Sequence, residues 1–250
     1  MVQKPPTILL INPWIYDFAA YDLWARPLGL LSIAGVLRDN GFIVHLIDCL
    51  ASGAATKDAK GYHEYGDGHV QKVQVEKPSV LESIPRKYSR YGMSLETFEA
   101  ALNERPKPDA VLVTSMMTYW YPGVFRAIRL VKEYCPGVPV ILGGVYATLC
   151  HEHAKRYSGA DFCIRGEGER AALQKVSELT NWKISSLPDP DRPDSYPYPA
   201  FDLLREHDVL CVITARGCPY KCTYCASSLL SNGFRARDPS KVLDEISYWV

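Results

Sequence analysis

Apolar positions along the first part of the chain come in two alternating kinds of run. "TILLINP" (7–13), "FIVHLIDC" (42–49), "DAVLVTSMM" (109–117) and "VPVILGG" (138–144) are short, continuous and bounded by turn residues. Such runs mark strands buried on both faces of a sheet. Between them the period changes. "LGLLSIAGVLRDNG" (28–41) places Leu30, Ile33, Ala34 and Leu37 at helical spacing and stops on Asn40-Gly41. "SLETFEAALNE" (94–104) has Ser94 as a cap and Leu95, Phe98 and Leu102 on one face, and "GVFRAIRLVKEYCPG" (123–137) is a helix with a Pro-Gly stop. "ADFCIRGEGERAALQKVSEL" (160–179) reads as a fifth strand, a glycine turn and a further helix. Five strands with intervening helices predict an α/β fold built on a doubly wound parallel sheet with right-handed crossovers.

Three stretches break this rhythm. Residues 52–93 show no period and read as an irregular surface insertion in a domain spanning 1–185. Residues 186–208 hold five prolines and read as a stiff linker. After it, "VLCVITARG" (209–217) reads as a strand, and "DPSKVLDEISYWV" (238–250) as a helix with Pro239 near its start and Val242, Ile246 and Trp249 at helical spacing.

Composition narrows the classes. Of 250 residues 47% are apolar and 22% charged, an ordinary globular balance, and 28 basic residues match 28 acidic ones. Nothing global draws the chain to nucleic acid or anionic lipid. No run approaches the ~18 apolar residues of a membrane span, and no secretory signal is visible, so a cytoplasmic protein with reduced thiols is expected. Of its eight cysteines, Cys49, Cys135, Cys150, Cys163 and Cys211 are scattered and read as small buried apolar groups.

The other three stand in "RGCPYKCTYCASS" (216–228), where Cys218, Cys222 and Cys225 have the spacing C-x3-C-x2-C. A zinc site ordinarily draws four ligands from two knuckles, and no second knuckle comes after this one. Three thiolates suit a 4Fe-4S cluster with one iron left open for a substrate or cosubstrate. Gly217 and Pro219 suit a loop wrapping such a cluster, and Lys221 adds positive charge beside it.

"ARGCPYKCTYC" resembles the cluster loop of radical S-adenosylmethionine enzymes, Tyr224 included, and "FRARDPSKVLDEI" (234–246) resembles the segment after that loop in the cobalamin-associated branch. "RPLGLLSIAGVLRDNGFIVHLID", "VLVTSMMT", "VILGGVYAT" and "IRGEGE" are similar to successive segments of the Rossmann-like, cobalamin-binding-like domain of those proteins. The resemblance covers nearly the whole chain apart from 52–107. It implies that residues 1–185 are that domain and that 209–250 begin a radical SAM (β/α) barrel, with Cys218, Cys222 and Cys225 as cluster ligands and Tyr224 near the adenine. The open iron would chelate S-adenosylmethionine, whose reductive cleavage yields a 5′-deoxyadenosyl radical for methyl transfer or another radical reaction on a small-molecule substrate. A reductant such as flavodoxin or ferredoxin is implied with it. Cobalamin contacts are expected at Thr114, Ser115, Gly143, Gly144 and Tyr146, at the carboxyl edge of the sheet.

Two features depart from the family's pattern. The chain has no Asp-x-His-x-x-Gly to ligate cobalt, and Tyr146 stands where the family often has histidine. A full barrel needs ~200 residues, so an N-terminal fragment or truncated product is expected. The rival readings are a non-catalytic cobalamin- or nucleotide-binding module and a zinc or electron-transfer protein using the cysteine loop. Four further groups have both a structural and a ligand reading. They are the glutamates of "GEGE" (166–169), Arg235 with Arg237, the aromatics Trp14, Tyr16, Tyr21 and Trp24, and the polar loop "GYHEYGDGH" (61–69).

Overall fold

A computed structural model of the chain describes residues 4–22, 26–51, 68–205 and 209–250. The first strand β1 (Thr7–Asn12) is followed by two short strands, β2 (Ile15–Asp17) and β3 (Tyr21–Asp22), then by helix α1 (Leu28–Asp39) and strand β4 (Ile43–Asp48). Three short strands come next, β5 (Gly68–His69), β6 (Lys72–Gln74) and β7 (Ser89–Tyr91). The α/β alternation resumes with α2 (Leu95–Asn103), β8 (Ala110–Val113), α3 (Tyr121–Tyr134), β9 (Val140–Leu142), α4 (Val145–Leu149), α5 (His151–Tyr157), β10 (Phe162–Cys163) and α6 (Gly168–Thr180). The last part holds β11 (Ala215–Arg216), α7 (Ser227–Leu230), β12 (Arg235–Ala236) and α8 (Pro239–Trp249).

The main sheet is all parallel in the order β10-β9-β8-β1-β4. Every residue of β1, β8 and β9 is buried, as the uninterrupted apolar runs require. Even and odd positions of β1 feed two separate cores. Ile8 and Leu10 pack with α1 and α6 through Leu30, Leu37, Leu173 and Val176. Leu9 and Ile11 pack with α2 and α3 through Phe98, Val124, Ile128 and Val131. The cap expected for α2 is made, and α8 has one at Asp238, just before the expected Pro239. Ser94 Oγ accepts from Thr97 N at 3.1 Å, contributing about 1 kcal/mol, and Asp238 Oδ1 accepts from Ser240 N at 2.8 Å.

Three stretches differ from their sequence patterns. Within the expected insertion, residues 52–67 lie outside those described, and 68–93 are only partly irregular: β7 is central in an antiparallel sheet β2-β7-β6, and Ser89, Arg90 and Tyr91 are all buried. This order comes from pairing across some seventy residues, Tyr16 with Arg90 for example, which no local period announces. The proline-rich stretch is docked as a strap along α1. Ala200 N donates to Leu31 O at 3.0 Å, Arg38 pairs with Asp202 at 2.7 Å, and Phe201 is fully buried against Leu31 and Trp249. The strand expected over 209–217 is reduced to β11, which pairs antiparallel with β12. Among the described residues no parallel neighbour lies beside 209–214 to supply a ladder.

Charged groups fasten the last part of the chain to the α/β domain. Arg216 pairs with Glu169 at 2.6 Å and stacks over Tyr196 at 4.7 Å. Arg235 grips Glu167 with both terminal nitrogens, and Ser231 donates to the same carboxylate. Arg237 bridges Asp194 at 3.0 Å and the buried Glu245. Burial pushes the Glu167 carboxyl up, but its hydrogen bonds from Arg235 and Ser231 outweigh this and hold it below the usual range.

Removing one partner of such a pair leaves a buried charge uncompensated. Glu169→Ala is therefore expected to cost about 3 kcal/mol, read as a drop in the denaturation midpoint. A carboxyl depressed in the folded state stabilises above its unfolded pKa, and that contribution is lost as pH falls through the lower folded value. The hydrogen-exchange protection factors of residues 209–250, taken relative to the intrinsic exchange rate at each pH, should therefore fall on acidification below the ordinary carboxylate range. Glu167→Gln should remove that component of the pH dependence; an unchanged profile would refute the assignment.

Candidate functional site

The carboxyl ends of β8, β9 and β10 open beside the N-terminal turns of α1 and α6, and a cavity of about 200 Å³ lies between them. Its walls are mostly apolar, with Leu30 and Ile33 from α1, Leu112 and Ile141 from the sheet and Ala172 from α6, and the paired Glu167 and Glu169 stand at the head of α6 beside them. Thr114, Gly143, Gly144 and Gly168 line it as well. This is the edge at which open α/β sheets bind ligands. Arg216, held by Glu169, lines it from the final part of the chain, two residues before Cys218.

The five residues expected to meet cobalamin divide. Thr114, Gly143 and Gly144 line the cavity. The Ser115 hydroxyl is instead used within the fold, donating to Gly143 O at 2.7 Å and accepting from Ala147 N at 3.3 Å. Tyr146 is fully buried on the opposite face of the sheet, where its hydroxyl meets His153 Nδ1 at 2.7 Å and burial raises its phenol pKa. The two glycines do different work. Gly144 has φ +95°, and a Cβ there would run into the Ser115 backbone; it turns β9 directly into α4. A Cβ on Gly143 meets nothing within 4 Å, so its missing side chain leaves open space.

The cysteine loop starts at Gly217, whose φ is +73° and whose missing Cβ lets the chain pass against Gly233 O. Cys218, Cys222 and Cys225 are exposed and form no disulfide. Cys225 Sγ lies 3.0 Å from Ser227 Oγ and accepts from Ser227 N at 3.5 Å, and these two bonds lower its thiol pKa. Tyr224 is 90% exposed. No three metal-binding side chains are gathered among the described residues. The donor set itself, three free thiols on one loop, is chemically suited to an iron–sulfur cluster.

The remaining candidates find other partners. The GEGE glutamates and Arg235 and Arg237 are spent on the ion pairs between the two parts of the chain, a use neither sequence reading offered. Their separation of 47 and 68 residues hid it. Trp14 is core, its Nε1 donating to Met93 O at 2.8 Å, and Tyr21 is exposed. Trp24 and residues 61–67 of the polar loop lie outside the described residues.

Comparison with known proteins agrees with this geometry. The B12-binding domain family matches residues 85–174. An uncharacterized methyltransferase of Pyrococcus horikoshii is 30% identical over 56% of this chain and 36% of its own length. An anaerobic magnesium-protoporphyrin IX monomethyl ester cyclase of Synechocystis is 24% identical over 88% of this chain and 42% of its own. The fold of the cobalamin-dependent S-adenosylmethionine radical enzyme OxsB, solved with aqua-cobalamin bound, superposes with a TM-score of 0.60 at 14% identity, over 98% of this chain and 31% of that one. The chain thus spans roughly a third to two fifths of the length of these relatives. The parallel sheet with its edge cavity and these matches together show a B12-binding-type α/β domain, in a chain similar to radical S-adenosylmethionine enzymes that carry a cobalamin-binding domain.

Proposed function

We propose that the chain is the cofactor-binding portion of a cobalamin-dependent radical S-adenosylmethionine enzyme, with residues 1–185 receiving cobalamin and 209–250 carrying a 4Fe-4S cluster. The observation that carries this reading is Arg216. It walls the edge cavity and stands two residues before the first loop cysteine, so the two cofactor positions share one ion pair. The cavity's mostly apolar walls and about 200 Å³ suit a flat aromatic group such as the benzimidazole of the cobalamin tail, with the corrin left at the mouth. Thr114 offers a hydroxyl there. Gly143, where a Cβ would meet nothing within 4 Å, leaves space for the ligand beside it. Ser115 and Tyr146 hold the surrounding turn and helix instead.

In the loop, Cys218, Cys222 and Cys225 are the proposed ligands, and Ser227 hydrogen bonds favour the thiolate form of Cys225. Bound together, the cluster and S-adenosylmethionine supply one-electron reductive cleavage of the cosubstrate, with electrons drawn from a carrier such as flavodoxin or ferredoxin. The chain's own part is to ligate, to orient and to keep the loop against the cavity. Tyr224 is free to stack on the adenine. The relatives are named as a methyltransferase and a cyclase; a radical reaction on a small organic molecule is the shared chemistry proposed here.

Two measurements test the two halves separately. Aquacobalamin titrated into the chain should bind, and Gly143→Leu should weaken it by about tenfold or more while leaving the circular dichroism and melting unchanged, since the added side chain enters open space. Equal binding by that variant would move the cobalamin site elsewhere. After anaerobic reconstitution the chain should hold about four irons and four sulfides, lost in the Cys218, Cys222 and Cys225 triple alanine variant. Stoichiometric zinc without sulfide would instead establish the zinc reading.

A further inference from the structure

On the face of the sheet opposite the edge cavity, a groove of about 960 Å³ runs between β7 and the outer side of α3. Its charge is one-sided. Arg90, Arg126, Arg129 and Lys132 line it, against Glu76 as the single acid on its wall. Lys132 is already paired with Asp161 at 2.5 Å. Arg126 and Arg129 have no ion pair among the described residues.

Arg90 is the feature that points to a ligand. The residue is 8% exposed, and its Nε is buried with no hydrogen-bond partner among the described residues. No carboxylate among the described residues lies within ion-pair distance; the exposed Glu96 acts on it only from farther off. Its guanidinium carbon stands 5.8 Å from the centre of the Trp14 ring, which holds the group from behind but satisfies none of its N–H donors. A buried cation without an anion is costly, and folded proteins keep one chiefly where something else supplies the charge. The groove also presents the rings of Tyr16, Tyr121, Phe125 and Tyr157.

We propose that this groove binds an aromatic phosphate ester of nucleotide class. The guanidinium of Arg90 would receive the phosphate oxygens together with Arg126 and Arg129, and an aromatic ring would lie against the tyrosines. A guanidinium fork matches phosphate geometry, and three guanidiniums without an ion pair among the described residues match a group carrying two or three negative charges better than a lone carboxylate. The groove's volume falls in the range that encloses a whole small ligand. The site lies on the other face of the sheet from Gly143 and Thr114, so it is independent of the cobalamin proposal.

The test is calorimetry at low ionic strength with ADP, inorganic pyrophosphate and adenosine. ADP should bind with submillimolar affinity, pyrophosphate more weakly and adenosine least. Arg90→Met and Arg129→Gln should each weaken ADP by about tenfold. Arg129 is exposed on α3, so its variant keeps the fold and the test intact should Arg90→Met unfold. Gly143→Leu should leave ADP binding unchanged. No binding of ADP or pyrophosphate to the parent chain would overturn the proposal. So would ADP binding untouched by Arg129→Gln, or binding lost in Gly143→Leu or displaced by aquacobalamin, which would place the nucleotide in the edge cavity.

Discussion

Two glutamates at the head of α6 hold the final part of the chain in place, and the arrangement of the candidate site depends on them. The segment from 209 onward adds no strand to the main sheet, and its own two-stranded ladder joins only β11 and β12. What it has instead is Arg216 on Glu169 and Arg235 on Glu167, both pairs with side chains less than a fifth exposed. In water such pairs contribute little. Removed from water, they cost desolvation and reward only one geometry, so they specify position more than they stabilise. That suits a joint which must set a cysteine loop beside a cavity without a large apolar interface.

The strap at 186–205 complements this joint. Phe201 and Leu204 anchor it by burial, while Ala200 and Asp202 tie it to α1 through a backbone bond and a surface ion pair. Prolines keep it extended at small entropic cost. The same α1 that backs the strap lines the cavity with Leu30 and Ile33. Helix, strap and ion pairs therefore form one support behind the sheet edge.

The parts of this fold that were legible in the sequence are those governed by local physics. β1, β8 and β9 show as unbroken apolar runs because both their faces are covered. α2 and α8 announce themselves through Ser94 and Pro239. Gly144 marks the turn from β9 into α4 because no other residue fits beside Ser115. What stayed hidden depends on distant partners. β7 reads "SRY", with nothing to show that Arg90 is buried until β2 and β6 pair on either side of it. Ser115 and Tyr146 look like ligand contacts at a sheet edge, and only the side-chain directions set by the turn at Gly144 commit them to Gly143 O and to His153.

The two faces of the sheet carry opposite solutions to one problem. On the α1–α6 side the buried charges are matched within the chain, glutamate to arginine, and what remains at the strand ends is an apolar slot lined by glycine. On the α3 side the chain buries an arginine against a tryptophan and surrounds it with further positive charge. A ring can partly shield a guanidinium but cannot accept its hydrogen bonds. Neutrality of the whole chain, 28 charges of each sign, therefore conceals a local imbalance. A guanidinium at the bottom of a groove, its Nε buried and without a carboxylate in ion-pair distance among the described residues, is a stronger sign of an external anion than any number of lysines on an open surface.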